Sequence, residues 1–132
     1  TKYHMIRSVY EGVGLSMLDC YRHMPVEPTE VRLSGGGSGS PLWSQMVCDM
    51  VGKPVVIPSG TEYGAKGAAI NAAAAGLFKD YREATGAMIR ERKRYEPDMK
   101  RNAFYSEVYE LYKEIYESHM ELWDKRAALI RR

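Results

Sequence analysis

Cysteine is scarce in this chain, and its two residues, Cys20 and Cys48, stand apart from any CxxC or Cys/His ligand spacing. That argues against a disulfide framework or a thiolate metal site and predicts two buried thiols in a reducing compartment. Long hydrophobic runs are missing as well. No stretch of about 18 apolar residues occurs, and the N-terminus lacks the basic-then-apolar order of a secretory signal. The reading is therefore a cytoplasmic protein with neither membrane span nor leader. Charge of one sign is also absent: 19 Lys and Arg against 17 Asp and Glu leave a net +2, too weak a field to recruit nucleic acid or a membrane surface. The histidines, His4, His23 and His119, are widely separated and show no HExxH-like pattern, so no metal site is predicted from them.

What is there reads as one globular unit. The 132 residues are 45% hydrophobic and 27% charged, enough to bury a core, and no repeat or low-complexity linker divides them. The chain opens at Thr1 already inside a helical pattern, which leads to the expectation of a longer protein. Met5, Ile6, Val9, Val13, Met17 and Leu18 recur at helical spacing between Tyr3 and Tyr21, with Gly12, Gly14 and Ser16 interspersed as a close-approach face. After Pro25 and Pro28, residues Glu30 to Ser34 predict a short strand that ends in glycine. A loop follows from Gly35 to Ser40, and Pro41 opens a helix that stops at Gly52. The β-branched run between Pro54 and Pro58 predicts a buried strand. An alanine-rich helix, Glu62 to Leu77, predicts close packing against its flat side, with Gly76 at its C-cap. Tyr81 to Ile89 reads as a short helix, and Glu96, Pro97 and Asp98 form a turn capping a long last helix. That helix carries an aliphatic stripe (Phe104, Val108, Leu111, Ile115, Leu122) beside a tyrosine stripe (Tyr105, Tyr109, Tyr112, Tyr116), the latter predicted to dock on the core.

The chemistry, if any, belongs to the glycine run. Without side chains, backbone N–H groups approach an anion or an adenosine closely, and the following helix N-terminus favours a phosphate. The alternative is a merely tight turn. A Walker A loop is excluded, because Ser40 and Pro41 stand where a Lys-Ser/Thr pair is needed. A dinucleotide fold wants an acidic residue after the second strand, where Pro58 and Ser59 stand. Lys66, in the second glycine segment, reads as solvated rather than as a phosphate ligand. The closing tyrosines read as core rather than as a stacking platform, since no basic surface is interleaved with them.

Taken in order, EGVGLSMLDC, VRLSGGGSGSPLWSQMVCDMVGKPVVIP and GTEYGAKGAAINAAAAGLF resemble the C-terminal lobe of FGGY carbohydrate kinases such as xylulose, ribulose and glycerol kinases. The turn YEPD with its following spaced tyrosines resembles that family's closing segment; Gly64 departs from the more usual alanine. The resemblance implies an α/β fold, a partial actin-like ATPase (ribonuclease H-like) lobe. It would run helix-strand-helix-strand-helix plus a long C-terminal helix, forming one unit over residues 1–132. Of a five-stranded sheet only the last two strands would be present, which leaves an unprotected edge and an expectation of self-association. By the same resemblance, Gly35, Gly36 and Gly37 meet the α-phosphate and ribose of ATP or ADP, and Ser40 faces the adenine side. No catalytic residue falls in this segment: the base and a DxGT loop gripping metal and phosphate belong to an N-terminal lobe, as do most sugar contacts. The implied function is ATP-dependent phosphorylation of a sugar or polyol, with Mg2+ held mainly by that lobe, a ketopentose as the expected substrate and no activity in this segment alone. The competing reading is a stand-alone interaction module whose glycine loop is structural and whose tyrosine-rich helix docks a partner.

Overall fold

A computed structural model of the chain describes residues 1–131. The order of elements is α1 (Lys2–Arg22), β1 (Val31–Arg32), a 3-10 turn (Gly36–Gly39), α2 (Pro41–Val51), β2 (Val55–Pro58), α3 (Tyr63–Gly76), α4 (Tyr81–Met88), β3 (Glu91–Tyr95), α5 (Met99–Ser118) and α6 (Met120–Ile130). Both predicted strands form, and β1 lies parallel to β2 with Val31 opposite Val55. A third strand was not read from the sequence. Its residues, ERKRY, are four charged side chains and one tyrosine, with little of the apolar alternation that marks a strand. β3 runs antiparallel to β2 and turns only Tyr95 inward, opposite Val55. The single continuous last helix is likewise two helices, separated at His119.

The core lies where α2 meets the sheet. Val31, Trp43, Val47, Cys48, Val55, Ile57 and Tyr95 form one buried cluster, while Met46 and Met50 on the far side of α2 receive Tyr105 of α5. α1 joins through Leu15 and Leu18, which pack on Tyr109. Of the rest of its predicted core stripe, Met17 packs against the main cluster, whereas Met5, Ile6, Val9 and Val13 are open: Met5 is 73% exposed and Val9 65%. The cause is length, since α1 has 21 residues against 11 in α2 and, at about 1.5 Å per residue, extends well past anything able to cover it. The aliphatic stripe of α5 is largely uncovered too, with Phe104, Leu111 and Ile115 more than half exposed and Val108 alone packed on the Leu15, Leu18 and Tyr109 cluster; of the tyrosine stripe, Tyr105 and Tyr109 are buried, Tyr112 is half-buried and Tyr116 is exposed. Cys48 is buried as predicted, whereas Cys20 is exposed.

The expected close approach on α1 occurs at one glycine only. A methyl on Gly14 would lie 2.3 Å from the Met50 sulfur, whereas nothing stands within 4 Å of Gly12. Gly14→Ala must shift the flexible thioether end of the fully buried Met50 and should lower stability by about 1 kcal/mol, read as a lower urea midpoint at unchanged slope.

Tyrosine, rather than phenylalanine, suits α5 because each buried ring ends on a polar partner across the helix pair. The Tyr109 hydroxyl donates to Asp19 Oδ1 at 2.6 Å. The Tyr105 hydroxyl accepts from Arg7 and donates to Glu11. Burial, reinforced by the bond to Asp19, pushes the Tyr109 phenol up to about 12 from 10.0, and burial pushes the Cys48 thiol up to about 11 from 9.0. The unfolded chain therefore sheds both protons first. The stability they contribute is complete below pH 9 and is lost as pH climbs through 11 and 12. A melting-temperature series across that window should show the decline, and Tyr109→Phe should flatten its upper part.

Candidate functional site

Two concavities mark the described surface, one at each end of α2. The larger, about 490 Å3, is lined by residues that include Leu18, Arg22, Glu27, Lys53 and Asn102. Its polar groups are largely consumed internally: Lys53 pairs with Glu27 at 2.5 Å, and the Asn102 amide donates to the carbonyls of Asp49 and Met50. Size alone does not make it the better candidate. The smaller cleft, about 220 Å3, lies at the N-terminal end of α2 and is walled by Gly35, Gly36, Ser38, Gly39, Gly60, Thr61, Tyr63 and Arg92. The glycine loop, the Gly60 turn and strand β3 converge there.

The glycine loop is held from behind. Gly35 takes a positive φ of 89°, a conformation an L side chain rarely adopts, and the chain then tightens into a 3-10 turn. Buried Ser38 folds its hydroxyl back on the Gly35 carbonyl at 2.7 Å. Ser44 reaches the Ser38 carbonyl from inside α2. The amides of Gly36 and Gly37 open the turn and donate to no group among the described residues. A methyl added to Gly36 or Gly39 would meet nothing within 4 Å; the side of the loop facing the cleft is bare backbone. Behind it, α2 begins at Pro41 with Ser40 as its cap, so the orphan amides and the partial positive charge of a helix N-terminus act in the same place.

The residues predicted for this site divide. Gly35 and Gly36 line the cleft. Gly37 turns instead toward Trp43, whose indole would lie 3.2 Å from any added methyl. The Ser40 hydroxyl accepts from Trp43 N at 3.3 Å as the helix cap, which leaves its own proton free to donate. The opposite wall was not anticipated. It is built by Gly60, whose φ of 101° makes the turn out of β2, by Thr61 and Tyr63, and by Arg92 from β3. The glycine between strand and helix was the available signal for the first part; a charged strand gave none for the second. Lys66 is half-buried rather than freely solvated and does not line the cleft itself: its ammonium donates to the Ser59 carbonyl at 2.5 Å and covers Gly60. α3 meets α4 and buries Ile70 and Ala73, whereas no described residue stands within 4 Å of a methyl added to Gly64 or Gly67.

Known proteins resemble both the sequence and this geometry. The family model for the FGGY family of carbohydrate kinases, C-terminal domain, matches residues 1–76, ending with the last residue of α3. An L-xylulose/3-keto-L-gulonate kinase of Escherichia coli is 30% identical over 114 residues, 83% of this chain and 23% of the relative. An erythritol kinase of Brucella abortus is 32% identical over 127 residues, 94% of this chain and 24% of the relative. The crystal structure of a ligand-bound xylulose kinase from Lactobacillus acidophilus superimposes with a TM-score of 0.82 at 27% identity, covering 90% of this chain and 25% of that one. The chain thus spans about a quarter of the length of the proteins it matches. Among the described residues, no helix is long and apolar enough to cross a membrane.

Proposed function

The chain belongs to the FGGY family of carbohydrate kinases, and we propose that it is the part of such a kinase that holds ATP while the γ-phosphate passes to a sugar or polyol hydroxyl. The observation that carries this reading is the pair of unpartnered amides at Gly36 and Gly37, set at a helix N-terminus, with Gly36 lining the cleft and no side chain within 4 Å of a methyl added to it. Backbone donors of that kind are suited to phosphate oxygens. In this reading ATP supplies the phosphoryl group, and the contribution of these residues is positioning and charge stabilisation, the principal protein contribution in phosphoryl transfer. Gly35 to Gly37 take the α-phosphate and ribose, and Ser40 lies toward the adenine.

The 220 Å3 cleft is smaller than the roughly 300–1,000 Å3 of a complete ligand site, in keeping with part of a site whose remainder lies outside these residues. The proposal, following the resemblance to sugar kinases, places magnesium, the phosphate grip and the base outside these residues and expects no phosphoryl transfer from them alone. A ketopentose substrate is supported by the xylulose kinases among its relatives. Titrating ATP into the labelled chain should shift the amides of Gly35 to Gly37 with a dissociation constant of about 1 mM. Unmoved glycine amides at saturating nucleotide would sink the reading.

The same reading accounts for the uncovered surfaces. β1 is paired only with β2, and Met5, Val9, Leu111 and Ile115 lie open on α1 and α5. An open strand edge and apolar faces of this kind invite pairing with another chain. Sedimentation of the isolated chain should show concentration-dependent self-association; a clean monomer would count against it.

A further inference from the structure

We propose that Arg92 is a nucleotide-binding residue whose guanidinium takes a phosphate oxygen across the cleft from the glycine loop. The proposal rests on the nucleotide reading above and extends it to a strand beyond the residues that the family model matches.

The strand β3 carries Arg92, Lys93 and Arg94 in succession, and the structure gives each a different fate. Arg94 is held by Glu30 at 2.6 Å and by Glu91 at 3.0 Å. Lys93 lies over the Tyr95 ring. Arg92 forms no hydrogen bond or ion pair among the described residues, and it is the cation that lines the cleft.

Its position has a backbone cause. Ile57 pairs with Lys93 and Pro58 with Glu91, so Arg92 is the residue left without a partner where the register slips. A bulge of this kind bends the strand and re-aims the side chain it carries. Here it occurs where β2 gives way to the Gly60 turn, and Ser59 N donates to the Arg90 carbonyl at 2.7 Å, fixing that end of β3 to the turn. Gly35 and Gly36 line the same cleft with bare backbone, which favours an anion and offers no carboxylate to occupy the guanidinium. A planar, permanently charged fork in that position matches phosphate geometry better than it matches a base or a ribose.

The test compares ATP and adenosine binding to the chain and to Arg92→Ala, Arg92→Lys and Arg94→Ala, followed by the Gly36 amide shift, with a melting curve for each variant. The expected result is about a tenfold loss of ATP affinity in R92A, unchanged adenosine affinity, partial recovery in R92K and near wild-type behaviour in R94A. The proposal is overturned if R92A binds ATP as well as the wild type, if it loses adenosine and ATP equally, or if R94A is as damaging as R92A. If the wild-type chain fails to bind ATP, the nucleotide reading itself has failed and Arg92 goes with it, an outcome visible in the wild-type arm alone.

Discussion

Replacing Gly36 with valine should abolish nucleotide binding by this chain while leaving its fold intact, with affinity falling by at least tenfold and stability changing by less than about 0.5 kcal/mol. The two halves of that expectation come from one observation. A methyl on Gly36 meets no protein atom within 4 Å, and Gly36 lies outside the positive-φ region that only glycine adopts freely. Nothing inside the protein therefore resists a side chain there; what it fills is the space where a phosphate would approach the amides. Gly35→Ala is the informative partner. Its open surroundings would tolerate a methyl, but its φ of 89° would not, so it should cost about 1–2 kcal/mol of stability and disturb the loop itself. Melting curves and ATP titrations on both variants separate the two effects. A Gly36→Val chain that still binds ATP as the wild type does would remove the loop from the nucleotide site.

How far the sequence foretold this arrangement depends on what kind of signal each part leaves. The strand–glycine–helix unit was legible because Val31, Val55, Val56 and Ile57 are β-branched, Pro41 marks a helix start and Gly52 a stop; Gly52 indeed ends α2 with a φ of 69°. Gly35 and Gly36 were legible for the same reason. Two other features were not. β3 is an edge strand whose one inward residue is Tyr95, so neither periodicity nor composition reports it, and Arg92 enters the cleft through a pairing irregularity that no sequence pattern encodes. The apolar stripes of α1 and α5 misled in the opposite direction. Helical spacing shows that one face is apolar, but not that this chain contains the surface to cover it, and Met5, Val9, Leu111 and Ile115 are left open. Small-residue composition on α3 carries the same ambiguity: it predicts close packing without naming the partner.

The second large effect is expected at Asp49, a carboxylate that is 1% exposed and that nothing in the sequence singled out. Its Oδ1 accepts from the Gln45 amide at 2.7 Å and from the backbone N–H of Asp98 at 3.0 Å, and its Oδ2 from Arg101 at 3.3 Å. Asp98 is in turn the N-cap of α5, accepting from Lys100 N and Arg101 N. One buried side chain thus pins the start of α5 to α2, and with it the register that seats Tyr105 against Met46 and Met50. Asp49→Ala leaves the Asp98 N–H without its acceptor and the Gln45 amide with only the Glu96 carbonyl, and should destabilise the chain by about 2–3 kcal/mol. Arg101 adds little to that figure, since its side chain is 63% exposed and water replaces the lost partner. Asp49→Asn keeps one carbonyl oxygen for Asp98 N and should cost about 1–2 kcal/mol. Urea unfolding of both variants tests the ordering. Because Asp49 belongs to the end of α2 remote from the glycine loop, Asp49→Asn should leave the ATP-induced shift of Gly36 unchanged wherever the chain stays folded. Equal stability of the alanine and wild-type chains would show that the packing of Tyr105 and Tyr109, and not the buried carboxylate, fixes α5 in place.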